Sequence, residues 1–219
     1  MIQGMIFDFD GTLFDSMFIW DTAGETYLRS IGKEPAEDLQ SILKPMSLYQ
    51  SASYLKAQYS IPLSIEDIMS GINRTVESFY IHTVKPKPGV IAFLEELAQK
   101  GVRMCIATAT DRYQVEAALD RCGMRQFFSE IFTCTEVGSG KDRPLIFRKA
   151  MEHLGSDRGN TVVVEDAWHA IRTAKNDGFI VAAVYDAHES MQCSIHETAD
   201  IYLSDYFNLD PLWKFASAI

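Results

Sequence analysis

The chain has 219 residues, 47% of them hydrophobic, and carries 20 Lys and Arg against 30 Asp and Glu, a formal net charge of -10. That length and apolar content suffice for one large domain or for one domain with an insertion. The acidic balance excludes a nucleic-acid scaffold, because neutralising a phosphate backbone takes clustered Lys and Arg and no basic run is present.

No apolar run approaches membrane-spanning length, and no basic segment followed by an apolar core opens the chain. Cys105, Cys122, Cys134 and Cys193 have no short repeated spacing, so free thiols in a reducing compartment are expected rather than disulfides or zinc. The expectation is a cytoplasmic monomer that meets neither nucleic acid nor membrane.

In chain order, "MIQGMIFDFDGTLFDS" begins with an apolar run and sets Asp8 and Asp10 where a strand gives way to Gly11. Two neighbouring carboxylates raise each other's pKa unless a cation sits between them. From Ser16 to His82 the period becomes helical. Met17, Trp20, Gly24, Tyr27, Leu28 and Ile31 share one face, Leu48, Ala52, Leu55 and Tyr59 a second, and Ile68, Ile72, Val76 and Phe79 a third. This predicts a helical bundle over residues 16–85, inserted after the first strand. It returns through "HTVKPKPGV", where Pro86 and Pro88 make the connection stiff and non-helical.

Residues 1–15 and 86–219 form the other predicted domain. From Gly101 onward a unit recurs: an apolar β-branched run, a helical period, a glycine stop. "VRMCIAT" is a strand, and Asp111 caps a helix bearing Val115, Ala118, Leu119 and Cys122 that closes at Gly123. "EIFTCT" is a strand before a helix with Phe147, Ala150, Met151 and Leu154. "TVVVED" precedes one with Ile171 and Ala174 that ends near Gly178, and "FIVAAVYD" and "ADIYL" supply the last strands. Strands apolar along their length with helices between them indicate an α/β fold, a doubly wound parallel sheet covered on both faces.

In such a sheet, ligands bind beyond the carboxyl ends of the strands. The polar residues there are Asp8 and Asp10, Thr108, and Glu165 with Asp166, while Lys141 follows "EIFTCTEVG". Asp8, Asp10 and Asp166 can offer hard oxygen ligands to Mg²⁺, which retains waters that a phosphate replaces. With that charge offset, a carboxylate can attack phosphorus, Lys141 and Thr108 can hold the phosphoryl oxygens, and a second carboxyl group can exchange the proton.

"DFDGTLFDS", "IAT", "GKDRP" and "VVVEDAWHAIRTAKNDG", in this order and spacing, resemble the four motifs of the haloacid dehalogenase superfamily, in its phosphatase and β-phosphoglucomutase-like branch. The resemblance spans essentially the whole chain and implies a Rossmann-like core with residues 16–85 as its helical cap. It implies that Asp8 is the nucleophile and Asp10 the general acid/base, that Thr108 and Lys141 bind phosphate, and that Asp166 ligates Mg²⁺ with Glu165 in support. It also implies that Asp10 meets the metal through its backbone carbonyl rather than its side chain. Ala167 and Ala170 stand where that family often has serine and glycine, and Asp142 and Arg143 separate Lys141 from Pro144.

The resulting expectation is a Mg²⁺-dependent phosphatase acting on a small phosphorylated metabolite through an aspartyl-phosphate. A sugar-phosphate mutase is the first alternative. In "LKPMSLYQSASYL", Leu48 replaces the arginine expected to grip a second phosphate, leaving Lys44 as the specificity candidate, and Thr12 stands where mutases tend to have an aliphatic residue. Both features favour hydrolysis. A non-catalytic phosphate-binding protein is the second alternative. His169, one turn beyond Asp166, has no second histidine at ligand spacing and is read as structural.

Overall fold

A computed structural model describes residues 2–43, 46 and 48–218. By its internal contacts the chain divides into two compact units, one of Met1–Asp15 with Val84–Ile219 and one of Ser16–Thr83.

The first unit begins with β1 (Gly4–Phe7), buried at every position, and β2 (Phe14–Asp15). Between them the chain reverses: Leu13 and Phe14 both donate their N–H to the Phe9 carbonyl, at 3.0 and 2.9 Å. Gly11 takes φ 75°, a left-handed conformation that a Cβ would strain.

The second unit is helical, with α1 (Met17–Ser30), α2 (Leu39–Leu43), α3 (Leu48–Gln58) and α4 (Ile65–His82). Ser64 caps α4 by accepting from the Asp67 N–H at 3.0 Å. The expected faces are realised at Tyr27, Leu28, Ala52, Leu55, Ile68, Ile72 and Val76, all buried. Met17, Trp20 and Tyr59 are half-buried, and two further positions differ. Tyr80 rather than Phe79 closes the α4 stripe, because Tyr80 continues the four-residue spacing from Ile72 and Val76 and receives a hydrogen bond from Trp20 Nε1 at 3.1 Å. Ile31 lies past the end of α1 and is exposed.

Back in the first unit, β3 (Lys85–Pro86) pairs antiparallel with β2, with Pro86 in a two-residue ribbon where a missing N–H is tolerated. There follow α5 (Val90–Gln99), β4 (Arg103–Thr108), α6 (Arg112–Arg121), β5 (Ile131–Thr133), α7 (Cys134–Val137) and α8 (Leu145–Leu154). Then come β6 (Thr161–Glu165), α9 (Trp168–Asn176), β7 (Ile180–Val184), α10 (Gln192–Thr198), β8 (Ile201–Leu203) and α11 (Asp210–Ala218). The expected strand "EIFTCT" stops at Thr133, whose hydroxyl accepts from the Glu136 N–H at 3.2 Å and so starts α7. Capping by this last strand residue turns Cys134 and Thr135 into helix instead of strand.

Six strands form one parallel sheet in the order β5-β4-β1-β6-β7-β8. The chain winds outward from β1 on one side, then returns to β6 and winds outward on the other. This is the doubly wound arrangement, with its switch point flanked by β1 and β6. Alternate strand residues serve the two faces. Ile6, Cys105, Val163 and Val181 pack with α8, α9 and α10, while Phe7 meets Phe93 of α5 and Phe128 edge-on at 6.1 and 5.9 Å. Burying each such phenylalanine contributes about 1.5–3 kcal/mol. All four cysteines are free thiols, and among the described residues no helix is long and apolar enough to cross a membrane.

Candidate active site

The switch point collects the acidic strand ends. Asp8 follows β1 and donates its N–H to the Val164 carbonyl at 2.9 Å, which fixes it beside Glu165, the last residue of β6. Asp8, Glu165 and Asp166 are all buried, and each offers a carboxylate oxygen within 4.8 Å of the others. Lys141, also buried, reaches in from the loop after α7 and donates to Asp8 Oδ1 and to Glu165 Oε1, the latter at 2.5 Å. Glu165 Oε2 accepts from the backbone N–H groups of Asp166 and Ala167, each at 3.1 Å. Both Glu165 oxygens are therefore engaged in holding Lys141 and the loop that carries Asp166.

Three buried carboxylates share one ammonium, and their protonation reflects burial and the shortfall of positive charge. Burial pushes the Asp8 carboxyl up to about 6 despite Lys141, with Glu165 adding to the rise. Burial and the neighbouring Glu165 and Asp8 hold Asp166 well above the usual carboxylate range. Burial opposes the charge on Lys141, but Asp8 and Glu165 outweigh it and keep the ammonium protonated. A buried cluster of hard oxygen donors short of positive charge fits a divalent cation.

Asp10 behaves differently. Its side chain stands outside the three-carboxylate group and accepts from the Thr110 hydroxyl at Oδ2. Thr108, fully buried at the end of β4, accepts the Thr110 N–H at 3.0 Å, so the turn after β4 aims Thr110 at Asp10. His169 is exposed and does not join the carboxylate group. Lys44 lies outside the described residues.

Three residues enter that sequence reasoning left without a contact. Thr12 donates from Oγ1 to Asp166 Oδ1 at 2.8 Å, Thr110 holds Asp10, and Tyr206 donates its hydroxyl to the Thr12 carbonyl at 3.0 Å. "DGT" and the second threonine of "IATAT" were visible signals for the first two. Nothing in the chain links Tyr206 to a residue 194 positions away.

Known proteins resemble this chain over most of its length. A phosphorylated carbohydrates phosphatase from Thermotoga maritima is 25% identical over 177 residues, covering 81% of this chain and 82% of that protein. The pyrophosphatase PpaX of Halalkalibacterium halodurans is 28% identical over 189 residues, covering 84% of this chain and 83% of its own. Among solved structures, CbbY from Rhodobacter sphaeroides in complex with phosphate superposes with a TM-score of 0.81 at 23% identity, over 99% of this chain and 100% of that one. The model of the haloacid dehalogenase-like hydrolases matches residues 5–184, a span that takes in Asp8, Asp10, Thr108, Lys141, Glu165 and Asp166. With its sheet order and switch-point carboxylates, the chain belongs to the haloacid dehalogenase-like hydrolase family.

Proposed function

We propose that the protein is a Mg²⁺-dependent phosphatase that hydrolyses a small phosphomonoester through a phosphorylated Asp8. The observation that carries this reading is the buried group of Asp8, Glu165 and Asp166 with Lys141 at the switch point of a parallel sheet. Asp8 and Asp166 would hold the cation with the Asp10 carbonyl, since the oxygens of Glu165 are engaged by Lys141 and two N–H groups. When bound, Mg²⁺ supplies charge that lets an anionic phosphate approach an anionic carboxylate.

An Asp8 oxygen attacks phosphorus, the ester P–O bond breaks, and the departing oxygen takes a proton from the Asp10 carboxyl group. Asp10, now a carboxylate, accepts a proton from water as the water oxygen attacks the same phosphorus. The bond to Asp8 breaks and inorganic phosphate leaves. Lys141 stays cationic throughout and offsets charge on the phosphoryl oxygens, and Thr108 at the end of β4 flanks the same oxygens. Thr110 keeps Asp10 oriented. The relatives named as phosphatases support hydrolysis, and a phosphorylated carbohydrate is a first substrate to test.

The test is release of p-nitrophenol from p-nitrophenyl phosphate. Activity is expected with Mg²⁺ and abolished by chelation with EDTA. Activity indifferent to EDTA overturns the metal assignment.

A further inference from the structure

We infer that Tyr206 is a positioning residue for the metal-binding carboxylate Asp166, acting through the backbone of Thr12. This rests on the Mg²⁺ reading above.

The segment after β8 brings Tyr206 under the loop that joins β1 to β2. Its hydroxyl donates to the Thr12 carbonyl at 3.0 Å, and Thr12 in turn donates from Oγ1 to Asp166 Oδ1 at 2.8 Å. A threonine hydroxyl has one proton, so the bond to Asp166 fixes which way that side chain presents its oxygens. Thr12 is also held through its main chain. Its backbone lies in a tight reversal next to the left-handed Gly11, and the Tyr206 hydroxyl ties that backbone to the rest of the domain.

Tyr206 is itself buried and packed. It is 3% exposed, and its ring stacks on Phe93 with centroids 5.3 Å apart and planes at 28°. Gly89 lies so close that a Cβ there would sit 3.1 Å from the Tyr206 carbonyl carbon. Phe93 also meets Phe7, the residue before Asp8. These ring contacts stabilise the fold around Tyr206, while only its hydroxyl reaches the backbone of the loop that orients Asp166. Groups that orient metal ligands from behind change metal affinity when removed, typically by 10–100-fold.

The experiment is a calorimetric titration of the substrate-free protein with Mg²⁺. Tyr206→Phe keeps the ring and removes only the donor, and it should weaken Mg²⁺ binding about tenfold. It should leave kcat at saturating Mg²⁺ near the wild-type value. In Thr12→Val, which breaks the link to Asp166, adding Tyr206→Phe should cause no further loss of affinity, because the path is already cut. Phe93→Leu, which loosens the same ring but keeps the hydroxyl, should lower the melting temperature and leave Mg²⁺ affinity unchanged. Wild-type affinity in Tyr206→Phe, or equal loss in Phe93→Leu, overturns the positioning role while the metal reading stands. Failure of the wild-type protein to bind Mg²⁺ overturns both.

Discussion

Replacing Lys141 by Met keeps the aliphatic stem and deletes the ammonium, and its cost follows from what the ammonium touches. The lysine side chain is 6% exposed and its partners Asp8 and Glu165 are 9% and 1% exposed. Removing one member of a buried ionic group leaves the others uncompensated, which costs about 3–5 kcal/mol. With a urea slope of about 2 kcal/mol/M, the unfolding midpoint should fall by about 1.5–2.5 M, measured in EDTA at pH 7.5. The loss should depend on pH. Burial already holds Asp8 at about 6 with Lys141 lowering it, so deleting Lys141 raises it further. A carboxyl group whose folded pKa lies above its unfolded value of about 4 contributes stability that is complete below that value. That stability is lost as pH rises through the folded pKa. The gap between wild type and Lys141→Met should therefore narrow at pH 5 and widen toward pH 8. A loss below about 1 kcal/mol at pH 7.5, or one that does not change with pH, refutes this account of the buried group.

Other consequences can be measured separately. Thr110→Val removes the donor that holds Asp10 and should lower kcat by about tenfold, the scale of one hydrogen bond to a charged group, with Thr110→Ser restoring most of it. In Asp186, burial raises the carboxyl's pKa, but the Lys87 ammonium at 2.9 Å and the His188 N–H together hold it below its ordinary value. Its contribution is present above the unfolded pKa and lost as pH falls through the folded one. Lys87→Met should thus cost about 2 kcal/mol by denaturation at pH 7 and far less at pH 3. Gly71→Ala tests packing against propensity: alanine would gain about 1 kcal/mol of helix propensity, but its Cβ would lie 2.3 Å from Tyr27 Cε2 in a buried ring. Overpacking of about 1–3 kcal/mol should win, giving a lower melting temperature.

Much of the parallel sheet was legible because its central strands are apolar on both faces, and the residues that end them are the polar exceptions. Asp8, Thr108, Glu165 and Asp166 were located in that way, and the structure gathers Asp8, Glu165 and Asp166 into one group. Lys141 sits in a loop with no periodic signal, and only the order of motifs singled it out. Local patterning failed where a side chain had a second use. Thr133 ends β5 and also caps α7, so Cys134 and Thr135 read as strand but are helical, and the stripe on α4 closes on Tyr80, whose hydroxyl accepts from Trp20. The contact of Tyr206 was invisible because a hydrogen bond spanning 194 residues leaves no trace in spacing.

The most direct test of the central claim is to trap the phosphorylated enzyme. Asp10→Asn, lacking the base that activates water, should react once with p-nitrophenyl phosphate in Mg²⁺, because p-nitrophenolate leaves without needing a proton. After acid quench, peptide mass spectrometry should then find phosphate on Asp8 alone. An unmodified protein, or phosphate on Asp166 or any other residue, contradicts the assignment of Asp8 as nucleophile.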